Sequence, residues 1–140
     1  MLTEFFNDIN WISILVGAIA YFALGAIWYS FLFQKKWIEY SGINIDDPNA
    51  KKGVAAIMIT SFLMMLITAF GLAILSHYAD LKGWESGVKL GLLTGVCFAF
   101  TSIAINMLYE RKHRGLYFIN GGYQIIGNII AAVIICAWRI

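Results

Sequence analysis

The sequence predicts an all-α integral membrane protein, a four-helix bundle with antiparallel up-down topology and both termini outside. Three observations lead there. Of its 140 residues 61% are hydrophobic and only 13% charged, where soluble domains carry about 25% charged residues. The apolar residues gather into four long stretches, and the charged ones collect in the gaps between them and at the two ends. Each stretch reaches the roughly 20 residues that a helix needs to cross about 30 Å of hydrocarbon at 1.5 Å per residue. No period-two alternation runs through them, so barrel strands, the other way to satisfy backbone groups in lipid, are not expected.

The first span is expected over residues 11–33. Before it, residues 1–10 hold Glu4 and Asp8 but no Lys or Arg. That is the wrong charge for a cleaved leader, so the span reads as permanent. The same helix is expected to run on through residues 34–40, with Ser41-Gly42 as its ending. Lys35 and Lys36 there suit anionic headgroups and Trp37 the interface; an ordinary solvated helix end is an equal alternative. Asp46-Asp47-Pro48 reads as a helix start, an Asp cap followed by proline in the first turn. It leads into a second span over residues 54–77. Short connections at residues 77–87 and 109–115 join it to spans over 88–108 and 116–138, and short loops force sequential helices to pack antiparallel. The whole chain, residues 1–140, reads as one transmembrane domain.

Charge sets the expected orientation. Seven basic residues (Lys35, Lys36, Lys51, Lys52, Arg111, Lys112, Arg114) fall in the first and third loops, and three (Lys82, Lys89, Arg139) on the opposite face. By the positive-inside rule the first and third loops are cytoplasmic. Trp11, Trp84 and Trp138 then share the outer boundary, and Trp28, Tyr29 and Trp37 lie near the inner one.

Two stripes run along the second half. Gly87, Gly91 and Gly95 repeat every four residues and continue through Ala99 to Ser102 and Asn106. Asn120, Gln124 and Asn128 repeat at the same interval, flanked by Gly121 and Gly127. Gly17 and Gly25 mark a similar face on the first span. Small residues let membrane helices approach closely where no hydrophobic force drives them together. With His113 as the turn centre, Asn106 and Asn120 are each seven residues away, and Ser102 and Gln124 each eleven. These pairs are therefore expected to meet. Asn106, Asn120, Gln124, Asn128 and Ser102 are read either as packing glue or as the lining of a polar path or ligand pocket.

No Asp or Glu lies within a span, where ion-coupled transport or proton relay would place one. His77 and His113 are assigned to opposite faces, so neither a catalytic constellation nor a metal or cofactor site is expected. Cys97 and Cys136 differ in expected depth by about 10 Å, beyond disulfide reach. The lipid bilayer is the expected partner, together with further copies of the chain or another membrane subunit, and no nucleic acid.

With those residues in view, the chain resembles a family of small bacterial membrane proteins known as domain of unknown function 1761. The resemblance rests on Asn10-Trp11, the run Gly25-Ala26-Ile27-Trp28-Tyr29-Ser30, Trp37 and Gly42. In the second half it rests on Asn106, Tyr109-Glu110, the run from Leu116 to Tyr123, and Trp138-Arg139. It departs from the family at Phe31, where proline is common, and at Gln124, where histidine is common. The resemblance implies four spans and no activity; the expected location is the bacterial inner membrane, as a multi-pass protein. The expected role is a homo-oligomeric, channel-like protein for a passive small solute or a bound ligand, since one chain is too small to enclose a roomy pore alone; the alternative is an accessory or structural subunit of a larger membrane complex.

Overall fold

The computed structural model describes residues 2–42 and 53–139. The expected helix start at Asp46-Asp47-Pro48, with Lys51 and Lys52, lies outside the described residues. What is described is helical, with no strand among the described residues.

A short helix, α1 (Leu2–Asp8), precedes the first long one. Its Phe5 is fully buried, edge-on to Phe70 and His77. Asn10 then caps α2 (Trp11–Ile27): its Oδ1 accepts from the backbone N–H groups of Ile12 at 3.1 Å and Ser13 at 3.3 Å. That satisfies two of the donors that a helix start leaves open. A π-helical turn, Trp28–Leu32, follows directly and closes with the Phe33 N–H on the Trp28 carbonyl at 2.9 Å. The expected unbroken helix is interrupted here, because Phe33 leaves helical geometry (φ −126°, ψ 16°) before α3 (Gln34–Ser41) begins. Gly42, at φ 70°, ends α3 in the left-handed conformation that glycine tolerates.

The second long helix, α4 (Val54–Tyr78), leads through Asp80 (φ 52°) and Gly83 (φ 89°) to α5 (Trp84–Thr94). A second π-helical turn, Gly95–Phe100, carries α5 into α6 (Thr101–Tyr109). The fourth long helix, α7 (Arg114–Ala137), is capped by His113, whose Nδ1 accepts from the Gly115 N–H at 2.9 Å. Among the described residues four helices are thus long and apolar enough to cross a membrane: Trp11–Leu32, Val54–Tyr78, Trp84–Tyr109 and Arg114–Ala137.

Helix α7 is the hub. It packs on α2, α4 and α5, whereas α4 and α5 make little close backbone contact with each other. The core accordingly gathers along α7, where Tyr123, Ala131, Ala132 and Ile135 meet Ile14, Ala18 and Tyr21 of α2, Leu72 of α4 and Leu90 of α5. Outward faces are apolar, with Phe31, Ile57, Phe98 and Phe118 all exposed.

The ends are tied by polar contacts. Arg139 donates to the Ser76 carbonyl and, at 3.2 Å, to the Leu81 carbonyl, and it pairs with Asp80 at 3.5 Å. The Gly83 N–H reaches the Cys136 carbonyl at 3.0 Å. At the opposite end of α7, the Tyr40 ring of α3 stacks on His113 at 3.9 Å. Cys97 and Cys136 are both free thiols.

Candidate functional site

Small residues bring two helices against α7. On the α5 side, a Cβ added at Gly87 would lie 2.5 Å from Val133 Cα, one at Gly91 2.7 Å from Ile129 N, and one at Gly95 2.8 Å from Ile125 Cα. All three clashes are with backbone, so the two helices touch main chain to main chain. On the α2 side the glycines seat aromatic rings instead. A Cβ at Gly127 would fall 2.5 Å from the Tyr21 ring, and one at Gly25 2.8 Å from the Tyr123 hydroxyl. Gly17 lies over the Ala131 backbone, and Gly121 receives the Phe100 ring.

With the rings seated this way, their hydroxyls reach polar groups across the seam. Tyr21 donates to Gln124 Oε1 and accepts from Asn128 Nδ2 at 3.5 Å. Asn128, almost fully buried, also donates to the Gln124 carbonyl at 2.7 Å and accepts from Thr94 Oγ1 at 3.1 Å. The Tyr123 hydroxyl donates to the Tyr21 carbonyl at 3.1 Å. Nearer the start of α7, Tyr29 donates to Asn120 Oδ1 at 2.7 Å and Trp28 Nε1 to the Ile119 carbonyl at 2.9 Å. Trp28, expected in the interfacial belt, is therefore part of the seam. An unpaired amide in hydrocarbon costs several kcal/mol, while each interhelical bond adds only about 0.6 kcal/mol net. The network mainly removes a penalty, and in doing so fixes the register of α2 on α7.

The expected stripe divides. Asn120, Gln124 and Asn128 lie in or beside the seam, but Ser102 and Asn106 are exposed on the far side of α6 and meet neither Gln124 nor Asn120. The reason is the π-helical turn. Before it the residues facing α7 step by four (Gly87, Gly91, Gly95); across it the step is five, to Phe100 against Gly121. One extra residue per turn rotates everything beyond by about 100° relative to an unbroken α-helix. Ser102 instead donates to the Phe98 carbonyl at 2.6 Å and Thr101 to the Cys97 carbonyl at 2.8 Å, covering carbonyls within the turn.

Beside the seam, the gap between α4 and α5 leaves a groove of about 550 Å³ floored by α7. Thr68, Leu72 and Leu75 form one wall, Thr94, Phe98 and Ala99 the other, with Gln124 and Asn128 on the floor. Small-molecule sites typically occupy about 300–1,000 Å³, and π-helical turns like the one in the second wall recur at functional sites. The polar side chains lining the groove are amides and hydroxyls, with no ionisable group.

The family model described as protein of unknown function (DUF1761) matches residues 12–136. The chain belongs to the DUF1761 family. Its matched region holds every residue of the seam and the groove, from Tyr21 to Asn128. No match was found among curated proteins, and none among solved structures.

Sequence reasoning missed Tyr21, Tyr29, Tyr123 and Thr94 as partners of the amides. A usable signal was present: Tyr21 sits midway between Gly17 and Gly25, in a face otherwise made of small residues.

Proposed function

We propose that this DUF1761 protein is a non-catalytic, multi-pass protein of the bacterial inner membrane that holds a small ligand in the groove between its second and third spans. The carrying observation is the contrast between seam and groove. The space between α2 and α7 is filled by Tyr21, Tyr123 and their hydrogen bonds. The groove beside it stays open and presents Gln124 and Asn128. This supports the ligand-binding half of the expected role.

The reading places the four helices antiparallel, with the first and third loops cytoplasmic and both termini outside. Contacts that tie α3 to the third loop, and α1 and Arg139 to the second, support the antiparallel arrangement; the sidedness rests on the basic residues of the first and third loops. Periplasmic-active phosphatase fused after Arg139, and an inactive fusion in the third loop, is the expected outcome; the reverse pattern overturns the orientation. Because Gly87, Gly91 and Gly95 are used up within the chain, association between copies would use the outward apolar faces.

Native mass spectrometry of protein extracted in lipid nanodiscs tests the main reading. A Cβ at Gly71, which lines the groove, meets nothing within 4 Å, so Gly71→Leu fills the space without a clash at the backbone. A retained small molecule in the wild type, lost in Gly71→Leu, is expected. Release of the bare chain or of a bare oligomer by the wild type would overturn the reading.

A further inference from the structure

The polar groups in the groove are not all engaged, and what they leave over specifies a ligand. The Thr68 hydroxyl donates to the Met64 carbonyl at 3.1 Å, and Thr94 has the Leu90 carbonyl at 3.0 Å and Asn128 Oδ1 within reach. Asn128 is bonded at both ends of its amide. The Gln124 side chain is bonded only through Oε1, by Tyr21. Its Nε2 group has no acceptor among the described residues, and it is not sealed off. The Gln124 amide therefore offers N–H donors that no described residue takes up, in a groove whose other polar groups are engaged and which, among the described residues, has no cation to balance an anion and no carboxylate to hold an amine.

Depth narrows the class further. Gln124 lies ten residues into α7, about 15 Å from its start, and thirteen from its end, about 20 Å. A phospholipid is held at the interface by its headgroup, so its ester carbonyls lie well short of that level. A charged molecule would pay a large desolvation cost to reach it. The opening between α4 and α5 faces sideways, toward lipid, because the two helices do not close on each other.

We propose that the groove binds an uncharged, membrane-dissolved molecule carrying a carbonyl acceptor, which enters from the bilayer and accepts from Gln124 Nε2. This rests on the ligand-binding reading above. The para-quinones are the class that fits: a flat ring with two carbonyls, no charge, and an apolar tail to lie along Leu72, Leu75 and Phe98.

The chain has only two glutamines, Gln34 and Gln124, so selective 15N-glutamine labelling gives two side-chain amide signals, and Gln34→Ala assigns them. The protein in phosphatidylcholine nanodiscs is titrated with decylubiquinone, with decylbenzene as a tail-bearing ring lacking an acceptor, and with palmitate as a charged acceptor. Decylubiquinone alone is expected to move the Gln124 signal saturably and leave Gln34 in place; Gln124→Leu should weaken its binding about tenfold. Equal movement with decylbenzene would overturn the carbonyl assignment while leaving the groove occupied. Movement with palmitate alone would overturn neutrality. No movement with any probe, in protein whose backbone spectrum shows it folded, would overturn the proposal even where native mass spectrometry retains some other molecule.

Discussion

Replacing Gly91 with alanine tests the main-chain contact between α5 and α7 most directly. The added methyl would lie inside contact distance of Ile129 Cα, 2.7 Å from Ile129 N and 2.9 Å from Asn128 O. None of these atoms can rotate away, so relief requires the helices to separate by about 1 Å or more at the level of Thr94 and Asn128. Overpacking of this kind costs about 1–3 kcal/mol. Stretching the Thr94–Asn128 bond adds about 0.6 kcal/mol, and the better helix propensity of alanine returns up to about 1 kcal/mol. The balance is a loss of about 0.6–2.6 kcal/mol when the full propensity gain is returned. Gly71→Ala supplies the control, since its methyl enters open space and only the propensity gain of up to about 1 kcal/mol remains. Unfolding free energies in mixed micelles titrated with dodecyl sulfate should rank Gly71→Ala at or above wild type and Gly91→Ala below it. A Gly91→Ala protein as stable as wild type would refute the inference that backbones meet at this layer.

Further outcomes follow from the seam and the ends. Tyr21→Phe removes the hydroxyl shared by Gln124 and Asn128 and should cost about 1–3 kcal/mol in the same unfolding assay. Tyr29→Phe, which frees only the half-buried Asn120, should cost less, and the opposite order would contradict the network. Arg139→Gln removes the Asp80 pair and weakens the hold on the Ser76 and Leu81 carbonyls. Amide hydrogen exchange through residues 79–83 should then accelerate while the middle of α7 keeps its protection. Deleting Ala99 removes the odd residue of the π-helical turn. With the step from Gly95 to Phe100 back at four, Phe100 still faces Gly121 and Ser102 still points outward, so cysteines at positions 102 and 124 should fail to cross-link with or without the deletion; a cross-link in either protein would refute the rotation.

The four long helices were legible because hydrophobic length is a one-dimensional property, and the glycine spacing on α5 pointed to a close contact that the backbone distances describe. The first stripe was misread beyond Gly95 because a periodicity argument assumes 3.6 residues per turn throughout. Nothing in Gly95-Val96-Cys97-Phe98-Ala99-Phe100 signals the inserted residue that carries Ser102 and Asn106 outward. The amides of α7 stood out as polar groups in an apolar run, yet their partners on α2 did not. Tyrosine is ambiguous in such a helix: interfacial anchor or hydrogen-bonding core residue. Only the pairing of α2 with α7, a contact between helices far apart in sequence, decides it. α1 lay hidden because Phe5 and Phe6 in a seven-residue helix form too short a pattern to read.

Helix α7 has the lowest mean hydropathy of the four long helices, 1.6 against 1.9–2.3, yet 44% of its most apolar window is buried, against 17–28% for the others. The segment most dependent on protein surroundings is therefore also the fourth to leave the ribosome. Until it arrives, α4 and α5 have little to hold them to each other. A chain ending at Arg111 would hold α2, α4 and α5 without α7, the helix that packs on all three.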